Sequence, residues 1–172
     1  MCWMCDDPTM TKGDALARMA EMVEQYGWAI QFVEGDRVHP PWAYTVGLTL
    51  RALPELVVTG LRAPEAGDLL NDFADGVVHH GERLSAGQRL RCPHGREMEV
   101  VELPHPDVHL LTAVSLFRGA TLRALQIVWS DDRRHWPWDV GFRSRQGRGQ
   151  PVLGPRSVGP RTTGDPDVPS RR

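Results

Sequence analysis

Apolar residues between Lys12 and Tyr26 recur at helical spacing, with Leu16, Met19, Ala20, Val23 and Tyr26 on one face and Gly27 as a stop. Thr11 stands three residues before Asp14, the spacing of a capping box. Residues 12–26 are therefore expected as an amphipathic helix. Trp28 to Val33 alternates as a half-buried strand does and runs into the turn signal Glu34-Gly35-Asp36. Pro40-Pro41 then leads into Ala43 to Thr49, and Glu55 to Thr59 follows beyond Pro54. Both segments are rich in β-branched and apolar residues and each is punctuated by a glycine. These two strands are expected at the centre of a sheet.

The period returns to 3.6 from Arg62 to His80, where Pro64 suits a first turn and Leu69, Leu70, Phe73 and Val77 share a face. Gln88 to Cys92 and Glu97 to Leu103 predict a hairpin around Pro93-His94-Gly95-Arg96. Val108 to Leu116 predicts a short helix capped by Asp107. Leu122 to Trp129, apolar except at Arg123 and Gln126, predicts an inner strand. Five to six strands with two or three helices fit an α+β domain whose mainly antiparallel sheet carries helices on one side. A partly closed, split-barrel-like sheet is the alternative. One domain is expected over residues 1–154, opening with a cysteine-containing arm. Residues 155–172, rich in Arg, Gly and Pro, are expected as a disordered tail, since they bury too little to offset their ordering entropy.

Composition narrows the partners. The net charge of −2 divides unevenly: seven arginines against Asp165 and Asp167 make residues 143–172 +5, which leaves −7 on residues 1–142. An acidic body disfavours nucleic acid as a partner. No apolar run is long enough to span a membrane and no signal segment opens the chain, so a cytoplasmic protein is expected. Three cysteines are too few for a disulfide scaffold.

The candidate chemistry is scattered. Cys2 and Cys5 form a C-x-x-C that Cys92 and His94 could complete as a zinc site, if the arm folds back onto the hairpin. The same cysteines could form a redox pair, or Cys5 could simply pack beside Trp3. Six tryptophans in 172 residues is a high count. Trp42, Tyr44 and Thr45 on one side, with Trp129, Asp131, Trp138 and Asp139 on the other, are expected to line a hollow for a flat or cationic ligand. The competing view makes these indoles core anchors. Asp131 and His39 are the candidate acid/base groups. No glycine-rich phosphate motif occurs, and a flavin held in the split-barrel manner is a fold-level analogy.

Several separated stretches carry a resemblance: Met4-Cys5-Asp6-Asp7-Pro8, Pro41 to Leu48, Pro54-Glu55-Leu56, Leu125 to Trp129 with Asp131, and Pro137-Trp138-Asp139. Together they resemble a bacterial family known as domain of unknown function 4262, over nearly all of residues 2–154. In that family His would be expected in place of Asp7. The resemblance implies a single small bacterial domain and brings no activity or ligand with it. The expected function is binding of a small ligand or a protein in the tryptophan-lined hollow. A flavin-dependent or metal-assisted enzyme and a zinc-stabilised interaction module are the alternatives, and the protein could be a homodimer.

Overall fold

The computed structural model describes residues 10–91, 96–144 and 149–156. Helix α1, Lys12–Tyr26, begins at the expected capping box, in which the Asp14 N–H donates to Thr11 Oγ1 at 3.2 Å and the Thr11 N–H donates to Asp14 Oδ2 at 3.0 Å. It ends at Gly27, left-handed with φ +87°. Strands β1 (Ala29–Val33), β2 (Trp42–Val46) and β3 (Glu55–Thr59) follow, then α2 (Ala63–His79), β4 (Arg89–Arg91) and β5 (Glu97–Leu103). Two short helices, α3 (Pro106–His109) and α4 (Leu111–Leu116), precede β6 (Ala124–Trp129).

The six strands make one open sheet in the order β1-β2-β3-β6-β5-β4. Every pairing is antiparallel except β3 with β6, which run parallel from Glu55 opposite Ala124 to Val57 opposite Gln126. The α+β class stands, with the correction that the sheet is mixed; it also lies open, so the closed-barrel alternative falls. The largely apolar, non-alternating runs of β3 and β6 accord with the parallel pair, because strands buried on both faces need not alternate. Every residue of both strands is buried. Helix α2 covers the first face, over Ala43, Leu56, Val58, Val100 and Ile127. Helices α1 and α4 cover the second, over Tyr44, Val46, Val57, Leu103 and Ala124.

Two expected elements are shorter than their apolar runs. The strand expected through Thr49 ends at Val46, and Gly47 turns the chain into a 3-10 helix, Leu48–Arg51. The cause is Glu55, fully buried at the start of β3. Its carboxylate accepts from Thr45 Oγ1 (2.7 Å), the Gly47 N–H (3.0 Å), the Thr49 N–H (2.9 Å) and Thr49 Oγ1 (2.8 Å). A buried carboxylate needs such donors, and it bends the chain to obtain them. The helix expected from Val108 breaks at Leu110, whose ψ of 54° interrupts the turn, and Asp107 lies inside α3 with His105 as the flanking residue. The tip of the expected hairpin, residues 92–95, lies outside the described residues.

Gly47 has φ +129°, and a Cβ there would stand 2.9 Å from the Gly27 carbonyl oxygen and 3.0 Å from Trp28 Cα and Val23 Cγ1. Two of those three atoms are backbone and cannot move aside cheaply. Gly47→Val should therefore lower the unfolding free energy by about 3 kcal/mol or more, measured by urea titration, and an unchanged midpoint would refute the close approach.

Candidate functional site

The residues expected to line one hollow are divided between the two faces of the sheet, and a segment of the chain itself packs among them. Strand alternation sends Trp42 and Tyr44 to the second face, whereas Thr45 and Trp129 face the first. Trp138 joins Trp136 on the second face, against Val101 and Val128. Trp42, Tyr44 and Trp138 are thus brought to one side, and Trp129 is not. Between the two aromatic groups runs residues 149–156, with Val152 packed on the Trp136 cluster and Leu153 on the Tyr44 cluster.

Two glutamines hold this strap as an added strand would be held. The Gln150 side chain accepts from the Trp129 N–H at 3.0 Å and donates to the Trp129 carbonyl at 2.9 Å. Gln126 donates to the Pro151 carbonyl at 2.7 Å and accepts from the Leu153 N–H at 2.7 Å. Thr59 Oγ1 donates to the same Pro151 carbonyl at 2.8 Å. Buried amides with both ends satisfied fix the register of the strap.

The places a flat cation would take are occupied by arginines of the chain. Trp136 and Trp138 stack with centroids 5.3 Å apart and planes 5° from parallel. The Arg89 guanidinium lies 5.2 Å from the Trp136 centroid, and that of Arg156 3.6 Å from the Trp138 centroid. Both arginines bond the buried Glu99 carboxylate, Arg89 at 3.2 Å and Arg156 at 3.0 and 3.2 Å. Arg156, placed by sequence in the tail, is therefore docked. On the first face Arg96 lies 5.0 Å from the Trp129 centroid, and the Trp129 Nε1–H donates to the Thr59 carbonyl at 3.0 Å.

The candidate acid/base groups act as loop caps. Asp131 accepts from the backbone N–H groups of Arg133 (2.9 Å), His135 (2.8 Å) and Arg143 (3.1 Å). Its burial works against ionisation, yet these donors outweigh it and hold the pKa below the ordinary carboxylate value. Asp139 accepts from the Trp136 N–H at 2.8 Å. His39 lies on an exposed turn with Nδ1 2.9 Å from Asp36 Oδ2. The Tyr44 hydroxyl accepts from the Thr112 N–H at 3.2 Å, which anchors α4, and burial raises its pKa. Cys2, Cys5, Cys92 and His94, the expected zinc set, lie outside the described residues. Among the described residues no group of three or more His, Cys, Asp or Glu side chains is placed to hold a metal ion.

Sequence reasoning passed over the edge of the sheet at β1. The two edges differ in kind. Strand β4 has three residues, Arg-Leu-Arg, with Arg89 and Arg91 paired to Glu99 and Glu97. Short length and charge are the usual protections of an exposed edge. Strand β1, Ala-Ile-Gln-Phe-Val, has neither charge nor proline, and among the described residues no strand lies beyond it. Its outward groups follow from pairing. The Gly60 N–H donates to the Pro41 carbonyl, so Trp42, Tyr44 and Val46 turn their backbone groups to β1 and bond Val33, Gln31 and Ala29. Ile30 and Phe32 then point their N–H and C=O outward, and the Phe32 carbonyl accepts from its neighbour's side chain, Gln31 Nε2, at 2.8 Å.

A cleft of about 500 Å³ accompanies this edge. Met22 and Tyr26 of α1 wall one side, and Ala63, Gly67 and Asn71 of α2 the other, with Trp28, Ile30 and Phe32 along β1. Tyr26 is 61% exposed. The Trp28 indole N–H donates to Asn71 Oδ1 at 3.1 Å, which ties the two elements at one end. The available sequence signal was the absence of any charge or proline from residues 28–33.

Residues 22–143 match a family model described as Domain of unknown function (DUF4262). No curated protein matches the chain, and no solved structure does. Among the described residues no helix is long and apolar enough to cross a membrane.

Asp131 yields a pH test. Its pKa is lowered in the fold, so its contribution to stability is present above the unfolded value of about 3.9 and is lost as pH falls below it. Asp131→Asn should lower the melting temperature by roughly 4–8 °C at pH 7. The gap to the parent should close as pH drops below about 4, and a gap independent of pH would show that the carboxylate charge is not what caps this loop.

Proposed function

The chain belongs to the family described as domain of unknown function 4262, a membership that assigns no reaction, and from its geometry we propose that it is a protein-binding domain taking up an extended segment along β1. The observation that carries this reading is the contrast between the two sheet edges, one short and armed with arginines, the other uncharged and set in a cleft. An added strand would pair with the outward N–H groups of Ile30 and Phe32 and the Ile30 carbonyl, would take the place of the Gln31 side chain at the Phe32 carbonyl, and would send its side chains alternately toward α1 and α2.

Gly67 supports it independently. A glycine inside a helix costs about 1 kcal/mol relative to alanine. A Cβ at Gly67 would meet nothing within 4 Å, so packing within the chain does not call for glycine there. The space it leaves opens into the cleft, where an approaching backbone can use it.

Gly67→Leu should block the cleft while keeping or raising stability, by roughly 0.5–1 kcal/mol from helix propensity. Displayed random nonamers selected on the full chain should slow hydrogen exchange at the Ile30 and Phe32 amides, and Gly67→Leu should lose them. Peptides that bind Gly67→Leu as well as the parent and leave those two amides exchanging freely would refute the reading.

A further inference from the structure

We propose that the segment taken up along β1 carries lysine or arginine at alternate positions, those whose side chains face α2. This rests on the β1 reading and adds the chemistry of the partner. Helix α2 holds Glu65, Asp68, Asp72 and Asp75 and no lysine or arginine between Ala63 and His79. Asp75 is engaged by His79 at 2.8 Å and His80 at 3.2 Å. Glu65, Asp68 and Asp72 are exposed, and no described basic side chain pairs with them.

Their position relative to the cleft follows from the helical period. Ala63, Gly67 and Asn71 form the row that lines the cleft, and Asp68 and Asp72 form the row one residue further round. Those two carboxylates stand about 6 Å apart along the helix axis. Alternate side chains of a strand stand roughly 6.7 Å apart. Two flexible basic side chains on the α2 side of an added strand can therefore reach one carboxylate each. On the other side the wall is Met22 and Tyr26, which calls for apolar residues at the intervening positions. The recognised pattern is thus basic and apolar in alternation.

The same charges argue against a second copy of this chain as the occupant. Antiparallel pairing of β1 with its own copy would leave both α2 helices on one face of a continuous sheet. The exposed carboxylates of both helices, with which no described basic side chain pairs, would then lie on the same face beside the joint, which disfavours the pairing.

The test selects displayed random nonamers on the full chain at low ionic strength and repeats the measurement on Asp68→Asn/Asp72→Asn, whose exposed sites leave the fold intact. Selected peptides should show Lys or Arg at every second position. Their binding should weaken about tenfold in the double variant and should weaken with added salt in the parent alone. Apolar extended peptides without a basic bias, or binding unaffected by the double variant, would overturn the charge assignment while leaving the β1 reading standing. Failure to select any peptide that Gly67→Leu rejects would overturn both. A concentration-dependent dimer abolished by Ile30→Pro, with Ile30→Val retaining it, would make a second copy the occupant and overturn the assignment of a basic segment.

Discussion

One parallel contact holds this sheet together. Strands β1 to β3 form one antiparallel ribbon and β4 to β6 another, and only β3 against β6 joins them. That seam is buried on both faces, so the domain must supply a cover for each. Helix α2 covers one, and α1, α4 and the strap cover the other. Beyond Val57 and Gln126 no β3–β6 pairing continues, and Gln150 supplies the hydrogen bonds that a continuing strand would have made to Trp129. Glu55, at the start of the seam, gathers the turn after β2 by the same logic of satisfying a buried polar group.

This account changes the meaning of the tryptophans. Indoles facing arginines look like a site prepared for a cation, and here the chain supplies the cations. Arg89, Trp136, Trp138 and Arg156 make a closed stack whose two guanidinium groups share the Glu99 carboxylate. The carboxylates nearby are likewise committed to backbone N–H groups. Groups so fully satisfied position a loop and a strap, and they have little capacity left for a guest.

Among the described residues the Trp42 indole N–H is buried without a hydrogen-bond partner, and further open groups gather at the β1 margin. At β1 the outward backbone groups, the exposed Tyr26 ring and the helix glycine without a packing role adjoin one another, and one helical row further round stand Asp68 and Asp72, with which no described basic side chain pairs. Each is tolerable alone in a folded domain. Together they describe a surface complementary to an extended, basic and apolar chain segment.

By itself the sequence determined what depends on neighbours along the chain. The α1 capping box and its Gly27 stop, the period of α2, the largely apolar runs of the seam strands and the family all follow from local patterns. The glycine that punctuates the first central segment, Gly47, stands where a Cβ would meet neighbouring backbone. Contacts between distant segments decided the rest. Gln126 and Gln150 show no periodicity that pairs them with Pro151, Leu153 or Trp129, and nothing near Trp138 announces that Arg156 will lie on it. Which face a residue takes depends on register, so Trp42 and Trp129 could be called strand residues while their opposite faces stayed hidden. Which strand becomes an edge depends on strand order, a property of the whole sheet, and for that reason the open β1 margin emerged only from the tertiary structure.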